Sequence, residues 1–312
     1  MNETRRAILE AIAEEPVSGP DLAAALDVSR AAVWKHIEEL RDADFEIESG
    51  PDGYELLAVT AYNGPAIEYG LEAPFSIEYH DAVESTNDLA RERAVEGAVD
   101  VAVLADQQRG GRGRLDREWS SPPGGVWVSV VNRPAIAPPR APLYTLAAAV
   151  ATARAAREAG VDARIKWPND VVVPVDDDGG YLKLAGVLTE MEGETDRVEW
   201  LVVGVGVNAN VDAATLPDRA TSVRERADDV DRRRFVQRLL EEFDGLRTDL
   251  EAVVPAWREL ALTLGQRVRI ERPRDAVVGD AVDVTETGAL VVDTDDGRET
   301  VSTGDCEHLR PV

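Results

Sequence analysis

The chain has 312 residues, too many for one small module and suited to two or three domains. Apolar residues make up 44% and charged residues 30%, which excludes a disordered chain, and Lys+Arg of 34 against Asp+Glu of 60 sets the net charge at −26. A single cysteine, Cys306, excludes an intramolecular disulfide and a cysteine-built zinc site, and His36, His80 and His308 lack ligand spacing, so no metal site is expected. The first fifteen residues mix charge into a helical pattern, unlike a signal peptide, and no apolar run is long enough for a membrane span; the expected location is the cytoplasm.

In chain order, residues 4–14 place Ala7, Ile8, Ala11 and Ile12 at helical spacing before Pro16 and Gly19 interrupt. Ser18 opens a short second helix, and Ser29 is a natural N-cap for a third over residues 30–42, where Trp34 is read as core. Residues 45–48 and 54–57 flank a Ser-Gly-Pro-Asp-Gly turn as a hairpin. Two short helices, a tight turn and a hairpin define a winged helix-turn-helix over residues 1–62. Residues 61–70 read as a linker. The segment 63–260 mixes strands (75–79, 101–105, 126–131, 171–173, 182–190, 198–207) with helices (85–95, 143–159, 233–250). The strands 182–190 and 198–207 form a hairpin, so the sheet is mixed and not a regular βαβ wind. Residues 261–312 hold short β-branched runs separated by turns and read as a small β-barrel. The fold class is therefore α+β in three parts.

Only Lys35, Lys166 and Lys183 are lysine; the other 31 basic residues are arginine. An acidic, lysine-poor surface suits concentrated salt, where self-repulsion is screened, and points to a halophilic source, the alternative being an ordinary acidic cytosolic protein. It also draws attention to the lysines that remain. Four stretches stand out. The first runs from Gln107 to Trp119 and sets Arg109, Arg112, Arg114 and Arg117 among three glycines, an anion cradle by chemistry. The second is Lys166-Trp-Pro-Asn-Asp170, and the third Lys183-Leu-Ala-Gly-Val187 on a strand. The fourth, Gly204-Val-Gly-Val-Asn-Ala-Asn210, mimics a dinucleotide fingerprint, but no helix and no βαβ unit follow. No P-loop pattern occurs, so any ATP site here uses neither common cradle.

Together and in this order, these stretches resemble the biotin–protein ligases. The correspondence runs through Ser85-Thr-Asn87, Gln108 with Gly111-Arg-Gly-Arg114, Lys166 to Asp170, Lys183 to Gly186, Gly204 to Asn208 and Ala220-Thr-Ser222. With the N-terminal module the chain resembles the bifunctional type, both ligase and repressor of biotin genes. The resemblance implies a central domain like that of class II aminoacyl-tRNA synthetases and an SH3-like C-terminal barrel. One departure is Asp116, which stands where the family commonly has glycine before the next arginine.

The implied chemistry has two half-reactions: biotin and ATP give biotinyl-5′-AMP and pyrophosphate, and the acyl group passes to a lysine of a biotin carboxyl carrier domain. Carboxylate and α-phosphate repel, so cations must offset the repulsion. The resemblance assigns this to Arg114 and Lys183, with Arg112 ordering the loop and excluding water. Biotin contacts carried over are Ser85, Thr86, Asn87, Gln108, Arg112, Gly113, Arg114, Lys183 and Gly186. Adenylate contacts are Arg112, Lys166, Asn169, Asn208 and Ala220. Asp170 either handles the acceptor lysine or caps its turn, and Trp127 is either a pocket wall or core. Mg²⁺ accompanies ATP. Competing readings are a lipoate–protein ligase and a non-catalytic biotin sensor.

Residues 1–60 hold 5 basic and 14 acidic residues, a poor balance for binding phosphates. The third helix nonetheless resembles a family recognition helix, with Ser29, Arg30, Lys35 and His36 as candidate DNA contacts. A biotin-responsive repressor would bind operator DNA as a homodimer favoured by biotinyl-AMP.

Overall fold

The structure is a computed structural model that describes residues 1–175, 180–272 and 275–309, with the backbone alone at Asp116. The chain forms two compact units, Met1–Glu72 and Ala73–Val312.

In the first unit, helices α1 (Glu3–Ile12), α2 (Gly19–Ala25) and α3 (Arg30–Arg41) precede a hairpin of β1 (Phe45–Gly50) and β2 (Gly53–Val59). Each helix begins on a side chain that accepts an orphan backbone N–H: Asn2 from Arg5, Ser18 from Asp21 and Ser29 from Ala32. Val17 and Tyr54 exchange both backbone hydrogen bonds at 2.9 Å in a single antiparallel bridge beside the hairpin. This close approach requires a glycine at 53: a Cβ there, at φ +132°, would lie 2.2 Å from the Val17 backbone. Ile8, Leu9, Ile12, Leu22, Val33, Ile37, Leu40 and Phe45 form the core. In α1 Leu9 takes the inward place expected of Ala11, which is exposed. Trp34 is likewise not core; it is 59% exposed, because Val33, Ile37 and Leu40 already form the inward stripe and Trp34 lies 100° past Val33. Within the expected linker, Asn63 caps a short helix α4 (Gly64–Glu68).

The second unit is built on a seven-stranded sheet. Its elements are β3 (Ser76–Val83), α5 (Thr86–Val95), β4 (Val101–Gln108), β5 (Val126–Asn132), α6 (Pro142–Glu158), β6 (Arg164–Lys166), β7 (Asp170–Val175), β8 (Gly180–Gly193) and β9 (Val198–Val207). The order is β3-β4-β5-β9-β8-β7-β6; β3 runs parallel to β4 and all other neighbours are antiparallel. The mixed sheet is the one the 182–207 hairpin implied. β5 is an interior strand, next to the central β9, and every one of its residues is buried. Trp127 belongs to this core, its indole donating to the carbonyls of Asp106 and Pro122.

Helices α7 (Val223–Arg226), α8 (Arg232–Thr248) and α9 (Leu250–Leu260) follow, and the alanine-rich α6 packs against α8, α9 and the sheet. The helix expected over 233–250 ends at Thr248, and α9, which carries Pro255 inside it, lies beyond that expected helix except at Leu250. Its apolar face of Val253, Trp257 and Leu260 is buried regardless.

The C-terminal sheet is antiparallel, in the order β13-β12-β11-β10-β14, from β10 (Arg267–Glu271), β11 (Ala276–Val284), β12 (Leu290–Thr294), β13 (Gly297–Val301) and β14 (Asp305–His308). It is the SH3-like part. Trp167 ties it to the large sheet: its indole donates to Gly288 O (3.0 Å) and its backbone N–H to Thr263 Oγ1 (2.9 Å). No helix among the described residues is long and apolar enough to cross a membrane.

Candidate active site

A cavity of about 400 Å³ opens where α5 starts, β4 ends and β7, β8 and β9 present their faces. Four kinds of local structure line it. Ser85 caps α5, accepting from the Asp88 N–H at 3.4 Å, which leaves Thr86 and Asn87 pointing into the sheet. A polar chain forms the floor there. Gln108 Oε1 accepts from the Thr86 N–H (2.8 Å) and hydroxyl (3.0 Å), and Gln108 Nε2 donates to Ser121 Oγ. Ser129 Oγ lies 2.8 Å from Thr86 Oγ1 and 2.6 Å from Asn87 Oδ1, and Asn87 Nδ2 donates to Glu190. Gly204 makes room for Asn87, since a Cβ at 204 would lie 2.0 Å from Asn87 Oδ1.

The arginine loop folds over the floor as a narrow excursion. Gly113 N–H donates to Arg117 O (2.7 Å) and Trp119 N–H to Gly111 O (2.9 Å). Leu115 at its tip adopts φ +57° and is 74% exposed, so the left-handed position of the turn falls on Leu115 and not on Asp116. The loop is tied down at three points. Arg112 pairs with Asp88, and Arg117 with Asp305. Arg114 donates to Asn169 Oδ1 (3.1 Å) and Gly304 O (2.9 Å).

Opposite the loop, Asp170 sits between two of the three lysines, with Lys183 Nζ at 2.7 Å and Lys166 Nζ at 3.7 Å. Lys183 also lies over the Trp119 ring at 5.0 Å, and Lys166 over Tyr181 at 5.5 Å. Burial is the largest single influence on Lys166 and acts to lower its pKa, but Asp170, together with Tyr181, Cys306 and Asp305, outweighs it and Lys166 stays above its ordinary value. At Arg114 the balance is reversed: burial pulls the guanidinium below its ordinary value despite Asp305 and Asp170. Arg114 therefore remains a cation short of counter-charge, an invitation to an anionic ligand.

His308 faces this cluster from β14, edge-on to Tyr181 and 3.1 Å from Thr263 Oγ1. Burial, helped by Lys166, pushes its imidazole down to about 4 from an ordinary 6.5. The unfolded chain thus takes up the proton first, so stability is present above pH 6.5 and is lost as pH falls toward 4. Discounted for partial solvent access, the loss is about 1–2 kcal/mol. Denaturant titrations at pH 7 and 4.5 should show it for the wild type and show less of it for His308→Gln.

Every residue expected of the central site lines this one cavity: Ser85, Thr86, Asn87, Gln108, Arg112, Gly113, Arg114, Lys166, Asn169, Asp170, Lys183, Gly186, Asn208 and Ala220. Lining residues that sequence reasoning passed over are Trp119, Tyr181, Arg219 and Asp305. Trp119 closes the arginine motif and could have been found from that position. Asp305 lies far along the chain in a segment without a motif. Among the described lining residues, six cations (Arg112, Arg114, Arg117, Lys166, Lys183, Arg219) face four carboxylates (Glu118, Asp170, Asp218, Asp305). In a chain of net charge −26 this is a local inversion of sign. No cluster of three metal-ligating side chains occurs among the described residues.

In the N-terminal unit, Ser29 is occupied as the α3 cap and Arg30 and Lys35 are exposed. His36 is half-buried, its Nδ1 3.3 Å from Glu39.

The biotin/lipoate A/B protein ligase family model matches residues 79–208, the biotin protein ligase C-terminal domain model residues 263–309, and a helix-turn-helix domain model residues 4–55. The chain belongs to the biotin–protein ligase family. It is 35% identical to the bifunctional ligase/repressor BirA of Bacillus subtilis, over 94% of each chain, and 29% identical to BirA of Escherichia coli, over 89% of this chain and 88% of that protein. Among solved structures it is similar to the biotin protein ligase of Aquifex aeolicus in complex with biotin and ATP, with a TM-score of 0.61 and 25% identity over 75% of this chain and 99% of that chain.

Proposed function

We propose that the protein activates biotin with ATP to biotinyl-5′-AMP and transfers the acyl group to a lysine of a biotin carboxyl carrier protein, and that its N-terminal unit makes it a biotin-responsive repressor. The observation that carries the first part is the cation-rich cavity in a strongly acidic chain, with a buried polar floor at one end. The floor of Thr86, Asn87 and Gln108, backed by the buried Ser129, offers donors and acceptors of the kind a ureido ring needs, with Ser85 and Gly186 also lining the cavity. Arg114 and Lys183 bridge the biotin carboxylate and the α-phosphate as the carboxylate oxygen attacks phosphorus and pyrophosphate leaves. Lys166, Asn169, Asn208 and Ala220 line the adenylate side. Arg112, held by Asp88, and Gly113 keep the loop over the mixed anhydride and shield it from water. Once Lys183 turns to the ligand, Asp170 is released to take a proton from the acceptor lysine's ammonium; the free amine attacks the acyl carbon, the acyl–phosphate bond breaks, AMP departs and the amide nitrogen gives up its second proton to solvent.

Mg²⁺ would accompany ATP and supply neutralisation of the polyphosphate charge beside the cations of the cavity. The adenylate-bound form is a homodimer on operator DNA, in the cytoplasm of a halophile. The working division of the chain is 1–62 for DNA binding, 63–260 for catalysis and 261–312 as the C-terminal barrel, with Ser29, Arg30, Lys35 and His36 facing DNA.

Biotin-dependent ATP–pyrophosphate exchange in molar KCl, with lipoate in parallel, tests the enzymatic reading. Exchange with biotin alone supports it, exchange with lipoate alone moves the protein to the sister activity, and no exchange in folded protein leaves a sensor. Gly204→Ala, which drives a methyl into Asn87, should raise KM for biotin about tenfold or more while KM for ATP changes little.

A further inference from the structure

We infer that Trp34 reads DNA: its indole packs against an apolar base edge, the C5-methyl of thymine, in the major groove of the operator. The inference rests on the repressor reading above.

A large apolar side chain on the solvent face of a short helix needs a reason. α3 buries Val33, Ile37 and Leu40, and presents Arg30, Ala31, Trp34 and Lys35 outward from its first turn and a half. In a helix-turn-helix it is the N-terminal part of the second helix that reaches the base edges. Trp34 stands in the middle of this outward set and is 59% exposed. Ala31, one turn before it, is small enough to let the helix backbone approach closely.

Charge explains why an apolar contact carries weight here. Of the five basic residues in positions 1–60, Arg5 and Lys35 lie 3.2 and 3.7 Å from Glu39, and Arg41 is held by Glu38 at 2.7 Å. Few cations are left to neutralise phosphates. Each neutralised phosphate contributes about −0.9 to the slope of log K against log salt, so a shallow slope, about −2 per protomer, is expected. Such a module cannot rely on counterion release and must draw its operator affinity from base edges. The major-groove edge of thymine carries the one methyl group in the code, and a flat indole is suited to cover it. An apolar contact of this kind does not weaken with salt.

The test uses the full-length protein with biotin and ATP in molar KCl, and duplexes selected by that protein from a randomised library. Trp34→Ala should bind the selected site about tenfold to a hundredfold more weakly, with random-sequence binding and pyrophosphate exchange unchanged. Trp34→Phe should retain part of the affinity. Replacing thymines of the site one at a time by uracil removes only the methyl; one or two positions should weaken the wild type and leave Trp34→Ala unaffected. Equal affinity of Trp34→Ala with the same uracil sensitivity overturns the inference while the repressor reading stands. A fall in the adenylate-induced dimer of Trp34→Ala, with uracil sensitivity intact, would put a second copy of the chain on this face and also overturn it. If the wild type selects no site at all, the repressor reading fails and the inference with it.

Discussion

Lys183→Ala should lower biotin-dependent pyrophosphate exchange about 10²- to 10³-fold, the scale of losing one preorganised donor at a developing charge. The side chain lines the cavity and is 33% exposed, so its removal leaves no sealed void in the core. Its Nζ meets Asp170 at 2.7 Å and the face of Trp119 at 5.0 Å, and nothing else described holds it. The backbone bonds at this position, from Lys183 N–H to Arg219 O (2.8 Å) and from Thr221 N–H to Lys183 O (2.9 Å), do not depend on the side chain. The melting temperature should therefore stay within a few degrees of wild type. In the variant Asp170 keeps only Lys166, at 3.7 Å, so two carboxylates, its own and that of biotin, face each other with one cation fewer. Near-normal exchange by a folded Lys183→Ala would sink the assignment.

Arg114→Ala should be as damaging but with a different signature. Arg114 joins three distant segments: the glycine loop, Asn169 at the head of β7, and the carbonyl of Gly304 before β14. Its loss removes a half-buried cation and frees the loop at once. Exchange should fall about 10²- to 10³-fold, and the adenylate formed should be released and hydrolysed faster. Arg114→Lys should not restore function, because one ammonium cannot reach both Asn169 Oδ1 and Gly304 O as the guanidinium fork does. Single-turnover acyl transfer from preformed biotinyl-5′-AMP, together with the dissociation rate of labelled adenylate, separates the two effects. Wild-type retention of adenylate by Arg114→Lys would mean that charge alone matters and the bridge does not.

Much of this was legible in the chain itself. Caps such as Ser29 and Ser85 act through the next three backbone N–H groups, so they announce helix starts locally. Alternation and turns marked the 182–207 hairpin for the same reason. Trp34 was misread because a helix face is set by its neighbours: Val33, Ile37 and Leu40 compete for one stripe, and a single residue's hydrophobicity cannot tell which of them wins. α9 is hard to read locally, since Pro255 counts against a helix there, whereas burial of Trp257 and Leu260 outweighs it in the fold.

The candidate site divides along the same line. Its residue types were determined by sequence: a glycine-arginine loop, rare lysines among 31 arginines, and adjacent Asn169 and Asp170 need no fold to be noticed. Only the tertiary structure decided that Asp170 stands between Lys166 and Lys183, that Arg114 reaches across to Gly304, and that six cations share one cavity of a chain with charge −26. The physical reason is range. Turn, cap and periodicity preferences act over a few residues, while electrostatic and packing energies depend on distance in space. β7, β8 and the turn before β14 come together only once the two sheets are docked through Trp167.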